Sequence, residues 1–433
     1  MEAEAKKLKH KFSRFLRILG PGLITGAADD DPSGIATYAQ TGAQFGYGQL
    51  WTAVFMLPFQ IAIQEACARI GAVTGKGLVA VTKDHYSKKI VYSVVLLVLI
   101  ANTINIGADI GAMAAAANFL IPINFVFLTL LFTTIILVLE IFTSYKLYAK
   151  ILKWLAITLI SYPLTVLIVS QPWSTILKAT FIPHFEFSFA FLFIITGVLG
   201  TTISPYMFFW QTSEEVEEER ELGISKIQAS PSLMKKFIGD LRIDTVVGMV
   251  ISEIATWSII VVAATVLNAH GITNIKTSAD AARALEPLVR SFPNAGFLAK
   301  LIFSTGIIGL GLLAVPVLSG SASYAVAEAL SWKEGLNLKL KKAHGFYGVI
   351  TIATLIGLLI NFVGIDPVKA LVFTAVFNGL VAVPLVFLVA KIAANGKIMG
   401  EYKSGKLSKV VVAMTFIGMA AAAIAMFVTL IHP

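Results

Sequence analysis

Cysteine is nearly absent from this 433-residue chain, and charge is scarce. The single Cys67 excludes an intramolecular disulfide framework and any thiolate metal cluster built by one chain. Only 14% of the residues are charged. The six histidines, His10, His85, His184, His270, His344 and His432, fall in segments that read as loops or helix ends, which argues against haem or a buried histidine-metal centre. Gly75-Lys76-Gly77 lacks the remainder of a phosphate-cradling loop, so nothing points to ATP. No Ser/His/Asp or Cys/His constellation occurs at suitable positions. The sequence therefore predicts no enzyme and no cofactor.

What is present is apolar. Hydrophobic residues make up 57% of the chain and the mean hydropathy is +0.82. A membrane-spanning helix needs about 20 mostly apolar residues, and spans are expected at 20–45, 48–72, 90–119, 123–143, 151–171, 189–212, 242–266, 297–329, 345–363, 367–390 and 408–431. The composition is that of an all-α polytopic membrane protein. The first segment is not read as a cleaved signal peptide, because its apolar run is too long and contains Asp29, Asp30 and Asp31. The net charge of +9 comes from the loops. Every second connection, counted from the N-terminus, together holds 28 of the 34 Lys and Arg, and the intervening ones hold Lys178, Lys276, Arg283, Arg290, Lys300 and Lys369. That bias predicts a cell-membrane protein with its N-terminus in the cytoplasm and its C-terminus outside, and it leaves no role for nucleic acid.

Two spans are interrupted alike. The run Gly20 to Ala28 stops at Asp29-Asp30-Asp31-Pro32-Ser33-Gly34, and Gly197 to Ile203 leads to Ser204-Pro205-Tyr206. An Asp or Ser directly before Pro is the start of a helix, because Pro has no N–H to lose there and the preceding oxygen accepts an orphan amide. Five spans separate the two breaks. Five is odd, so the second unit enters the membrane from the opposite side, and broken helices in two inverted halves point to a transport site near the midplane.

The stretch Gly20-Pro21-Gly22 through Asp31-Pro32-Ser33-Gly34-Ile35-Ala36-Thr37, then Gly42-Ala43-Gln44-Phe45-Gly46-Tyr47 and Leu50-Trp51, resembles the first helix of the natural resistance-associated macrophage protein (NRAMP) family of divalent-metal transporters. Gln64, Ala68-Arg69 and Gly71 to Gly75 are similar too, and Leu199 to Tyr206 resembles the family segment that ends in Met-Pro-His. The resemblance implies the LeuT-type fold: two inverted five-helix repeats with broken helices 1 and 6, plus an eleventh helix. The chain would then divide into a basic N-terminal segment (1–19), a first repeat (20–171), an extracellular connection (172–188), a second repeat (189–390), and a cytoplasmic loop with helix 11 (391–433).

The resemblance also implies a site. Asp31 holds the position of the family's ligating Asp, Gly34 replaces its Asn, Thr201 stands at the carbonyl-donating Ala, and Ser204 replaces its Met. A thioether favours softer metals, whereas carboxylate, hydroxyl and carbonyl oxygens suit Mg²⁺, Ca²⁺ or Mn²⁺. Loss of the Asn and Met side chains is expected to enlarge the site, which favours Mg²⁺ with waters retained, and Mn²⁺ second. Asp29 and Asp30 are read as vestibule or relay groups, along with Asp109, Tyr206, Glu253 and Asn378. Asn102, Asn105 and Asp109 fall on one helical face. Tyr206 replaces the family's His, and a tyrosine near pKa 10 does not exchange protons at neutral pH as histidine does. Transport without obligatory proton coupling is the expectation. Glu214 to Glu221 reads as a solvated run or a weak ion-exit site. The alternative from the same residues is a sodium-coupled carrier of a small organic solute, using Ser319-Gly320-Ser321-Ala322-Ser323, and a further one is a non-transporting relative.

Overall fold

The computed structural model describes residues 18–143, 159–223, 230–290 and 294–431. The segment 1–17 and residues 144–158, which include the first part of the fifth span expected at 151–171, lie outside the described residues. Helices follow one another in the order α1 (Pro21–Asp29), α2 (Pro32–Phe45), α3 (Trp51–Thr74), α4 (Leu78–His85), α5 (Lys88–Leu120), α6 (Phe125–Phe142), α7 (Ser161–Ile168), α8 (Trp173–Phe181), α9 (Phe189–Thr202), α10 (Pro205–Leu222), α11 (Pro231–Val266), α12 (Ala295–Leu330), α13 (His344–Ile360), α14 (Pro367–Ala394) and α15 (Lys406–Ile431). Among the described residues there is no strand.

Among the described residues, eight segments are long and apolar enough to cross a membrane, with Phe189–Arg220 taken as one. The first span is divided between α1 and α2, and α13 is a shorter apolar helix. Large apolar side chains face outward along the bundle, among them Leu96, Phe127, Leu359, Ile417 and Ile424, as lipid contact requires. The protein is integral to the membrane.

Both expected breaks are present. Asp30 and Asp31 separate α1 from α2, and Ile203 and Ser204 separate α9 from α10. Pro32 and Pro205 each occupy the first turn of the restarted helix. Small residues let the helices meet backbone to backbone. A β-carbon on Gly26 would lie 2.3 Å from the Gly248 carbonyl oxygen, and one on Gly42 would lie 2.3 Å from that of Ile260. These contacts join span 1 to α11. Their counterpart in the other half joins α3 to α10, where a β-carbon on Gly71 would lie 2.3 Å from the Thr212 carbonyl oxygen. α5 runs against α12, and Asn102 Nδ2 donates to the Leu318 carbonyl at 2.8 Å.

Two elements differ from expectation. α11 begins at Pro231, well before residue 242, because Met234, Ile238 and Leu241 bury an apolar face against Ala68 and Ala72 of α3. α4 was not visible as a span: it is an amphipathic turn of helix that buries Leu78, Val79 and Val81, with its N-terminal Ala80 amide donating to Glu328 Oε2 at 2.9 Å.

Candidate cation site

Asp31 is the N-cap of α2 and only 1% exposed. Its Oδ1 accepts from Ser33 Oγ at 2.6 Å and from the Gly34 amide at 2.7 Å, and its Oδ2 accepts from Asn105 Nδ2 at 2.9 Å. Asp31 therefore caps a helix and also receives a donor from α5. Each carboxylate oxygen has two lone pairs, so Oδ2 retains one acceptor position. Asp109, one turn beyond Asn105, faces Asp31 electrostatically, and both of its oxygens are buried without a hydrogen-bond partner. Asn102, Asn105 and Asp109 do share a buried face.

The second break meets the first at this point. Thr201 Oγ1 lies 3.1 Å from where a β-carbon on Gly34 would stand, and the Asp29 carbonyl oxygen lies 2.9 Å from it. The expected enlargement at Gly34 is thus corrected: the space is filled by Asp29 backbone and Thr201. Ser204 is fully buried and its Oγ has no partner. Tyr206 donates its hydroxyl to the Ala28 carbonyl at 2.7 Å, which ties α10 to α1. Tyr38 and Thr202 share a second tie of 3.0 Å.

Other sequence-predicted residues go elsewhere. Asp29, Asp30 and Glu253 face one another on the α11 side of the break. Asn378 is buried on α14 beside Gly379, which lies against Gly200, and its Nδ2 has no partner. The three serines of the Ser319 to Ser323 stretch are committed to bonds between helices: Ser319 to Glu140 Oε1 at 2.6 Å, Ser321 to the Tyr206 carbonyl at 2.7 Å, and Ser323 to the Phe346 carbonyl. None of these bonds reaches span 1. The acidic run is not a solvated face either. Glu214, Glu215, Glu217 and Glu219 are buried, with Gln211 donating to Glu215 at 2.8 Å and Asn337 to Glu217 at 2.9 Å. Among the described residues, no three His, Cys, Asp or Glu side chains converge as a metal cage. Any ion held at the break therefore relies on hydroxyl and carbonyl oxygens beside a carboxylate.

Sequence reading missed several participants. Gln60, Ser252 and Thr256 contact Asp29 or Asp30, and Asp244 caps α1, accepting from the amides of Gly20, Gly22 and Leu23 at 2.9, 2.7 and 3.1 Å. Ser252 and Thr256 stand at i, i+4 on either side of Glu253, a polar stripe in an apolar helix that carried the signal.

A bundle of membrane helices in which two inverted halves each break beside buried acidic and hydroxyl groups is a secondary-transporter fold of the LeuT type. The sequence profile of the Nramp family, natural resistance-associated macrophage protein-like, matches residues 22–429, and the chain belongs to that family. It is similar to the divalent metal cation transporter MntH of Caldanaerobacter subterraneus subsp. tengcongensis, 26% identical over 411 residues, covering 92% of this chain and 90% of the relative. The MntH of Klebsiella pneumoniae subsp. pneumoniae is 27% identical over 395 residues, covering 89% and 87%. Among solved structures, the Eremococcus coleocola manganese transporter in complex with an aromatic bis-isothiourea substituted compound superposes with a TM-score of 0.78 at 15% identity, covering 95% of this chain and 86% of that one. Mhp1, a nucleobase-cation-symport-1 family transporter, gives 0.59 at 12% identity, covering 96% and 91%. These structural likenesses carry the fold.

Proposed function

We propose that this protein carries a divalent metal cation across the membrane, Mg²⁺ ahead of Mn²⁺, with Asp31 as the only anionic ligand. The observation that carries the reading is a buried carboxylate with one acceptor position left at the first break, and an unpartnered Ser204 hydroxyl at the second, which meets the first where Thr201 stands against Gly34. Thr201 supplies a hydroxyl or carbonyl and the backbone at Gly34 another oxygen. Hard oxygen donors without a thioether suit Mg²⁺ and Mn²⁺ over softer ions. The names of the curated MntH relatives support a divalent cargo. The distribution of basic residues, 28 against 6, supports a cytoplasmic N-terminus. The sodium-coupled organic carrier loses its footing, since Ser319, Ser321 and Ser323 are spent on α6, α10 and α13.

A liposome flux panel of Mg²⁺, Mn²⁺, Ca²⁺ and Zn²⁺ tests the cargo, paired with calorimetry on monodisperse Asp31→Ala. Wild-type protein is expected to move Mg²⁺ and Mn²⁺, and the variant to bind neither while remaining folded. Wild-type affinity in Asp31→Ala would leave Asp31 as a helix cap and no more.

A further inference from the structure

At the first break lies a second polar cluster, contacted from α3 and α11 where Asp31 is contacted from α5. Asp29 Oδ2 accepts from Gln60 Nε2 of α3 at 2.7 Å and from the Ser252 hydroxyl of α11, which also faces the Asp30 carboxyl. Thr256 Oγ1 stands 3.4 Å from Asp30 Oδ1. Glu253 faces both aspartates. Asp29, Asp30, Gln60, Ser252 and Thr256 have no solvent-exposed surface at all. Within this dry cluster Asp29 Oδ1, Asp30 Oδ2, both Glu253 oxygens and the amide oxygen of Gln60 lack any hydrogen-bond partner. Gln60 is the independent sign of a ligand: its amide nitrogen anchors it to Asp29 while its carbonyl oxygen is left over in the same place.

The charge balance points the same way. Among the described residues no Lys, Arg or His pairs with Asp29, Asp30 or Glu253. The C-terminal end of α1 falls at Asp29 and adds the negative pole of a helix to the same spot. Buried carboxylates without a basic partner are expensive, and a bound cation relieves that cost while also satisfying the unpartnered Gln60 oxygen. Its class follows from the donors and the dryness. Mg²⁺ gives up water reluctantly and keeps several molecules, for which these buried groups leave no surface. Among the described residues no three carboxylates are gathered into a cage of the charge a divalent ion would call for. Hydroxyl and amide oxygens beside one or two carboxylates suit a hard monovalent ion that sheds its water.

We propose that Asp29, Asp30, Gln60, Ser252 and Thr256 form a second cation site, separate from Asp31, that takes one dehydrated Na⁺, with Glu253 as an outlying charge. The site does not depend on which divalent ion Asp31 holds. The test is thermal unfolding of the purified full chain in detergent, free of divalent metal, titrated with NaCl, KCl or choline chloride at constant ionic strength. Wild type and Asp31→Asn are expected to show saturable stabilisation by Na⁺ beyond K⁺ and choline. Asp30→Asn and Ser252→Ala, each first shown monodisperse, are expected to lose at least about tenfold in apparent Na⁺ affinity. Equal responses to Na⁺ and choline in wild type, equal responses to Na⁺ and K⁺, or a Na⁺ response that survives Asp30→Asn and Ser252→Ala but disappears in Asp31→Asn would each overturn the assignment. Because no divalent ion is present, failure here leaves divalent transport standing, and absence of Mg²⁺ or Mn²⁺ flux leaves the Na⁺ response readable.

Discussion

Gly34 and Ser204 stand where the family resemblance leads one to expect asparagine and methionine, and the structure treats the two replacements differently. At Gly34 a side chain would be driven into the Asp29 carbonyl at 2.9 Å, so Gly34→Ala is expected to destabilise the fold by about 1–3 kcal/mol, as overpacking does. A lowered thermal midpoint relative to wild type checks this; an unchanged one would show that the backbone at Asp29 gives way. At Ser204 the hydroxyl is already unpartnered, and Ser204→Met places a soft sulfur beside the same break. Competition flux is expected to move from Mg²⁺ toward Cd²⁺, and no relative gain for Cd²⁺ in a folded variant would remove Ser204 from the ion. Asp31 and Ser204 were legible because a proline follows each. The crowding at Gly34 was not, since it depends on a backbone turn and on Thr201, more than 160 residues along the chain.

At the scale of elements, the short helix α1 owes its position to its N-terminus. Three of its otherwise orphan amides, those of Gly20, Gly22 and Leu23, donate to one carboxylate, Asp244 of α11. Hydrogen bonds to charged groups contribute about 1.5–3 kcal/mol each, so Asp244→Ala is expected to speed amide exchange over residues 20–24 by tenfold or more, read by mass spectrometry in detergent. Unchanged exchange would mean that the glycine contacts alone hold α1. Sequence periodicity could not show this. Residue 244 reads as the polar start of an apolar span, and its partner is set by how α1 and α11 cross. The same limit explains the acidic run, whose composition reads as solvated although Glu214, Glu215, Glu217 and Glu219 are buried, Glu217 against the loop carrying Asn337.

For the whole molecule, the breaks, the inversion and most spans were legible because membrane helices declare themselves by length and hydropathy, while the polar stripe of α11 was overlooked because Ser and Thr barely alter either. Coupling is a property at this scale as well. Tyr206 spends its hydroxyl proton on the Ala28 carbonyl, which makes it a strut between the two breaks. In proteoliposomes loaded with a pH dye at fixed potential, metal uptake is expected to proceed without stoichiometric acidification. Acidification that persists in Tyr206→Phe and vanishes in Asp109→Asn would overturn this and name the relay. The glycine contacts bear on how such a molecule works as machinery. Backbone set directly against backbone leaves no rotamer to absorb sliding, so each seam behaves as a weld. A β-carbon at Gly248 would lie 2.1 Å from the Gly22 carbonyl oxygen, so a bulky residue there would pry span 1 off α11 along its whole seam.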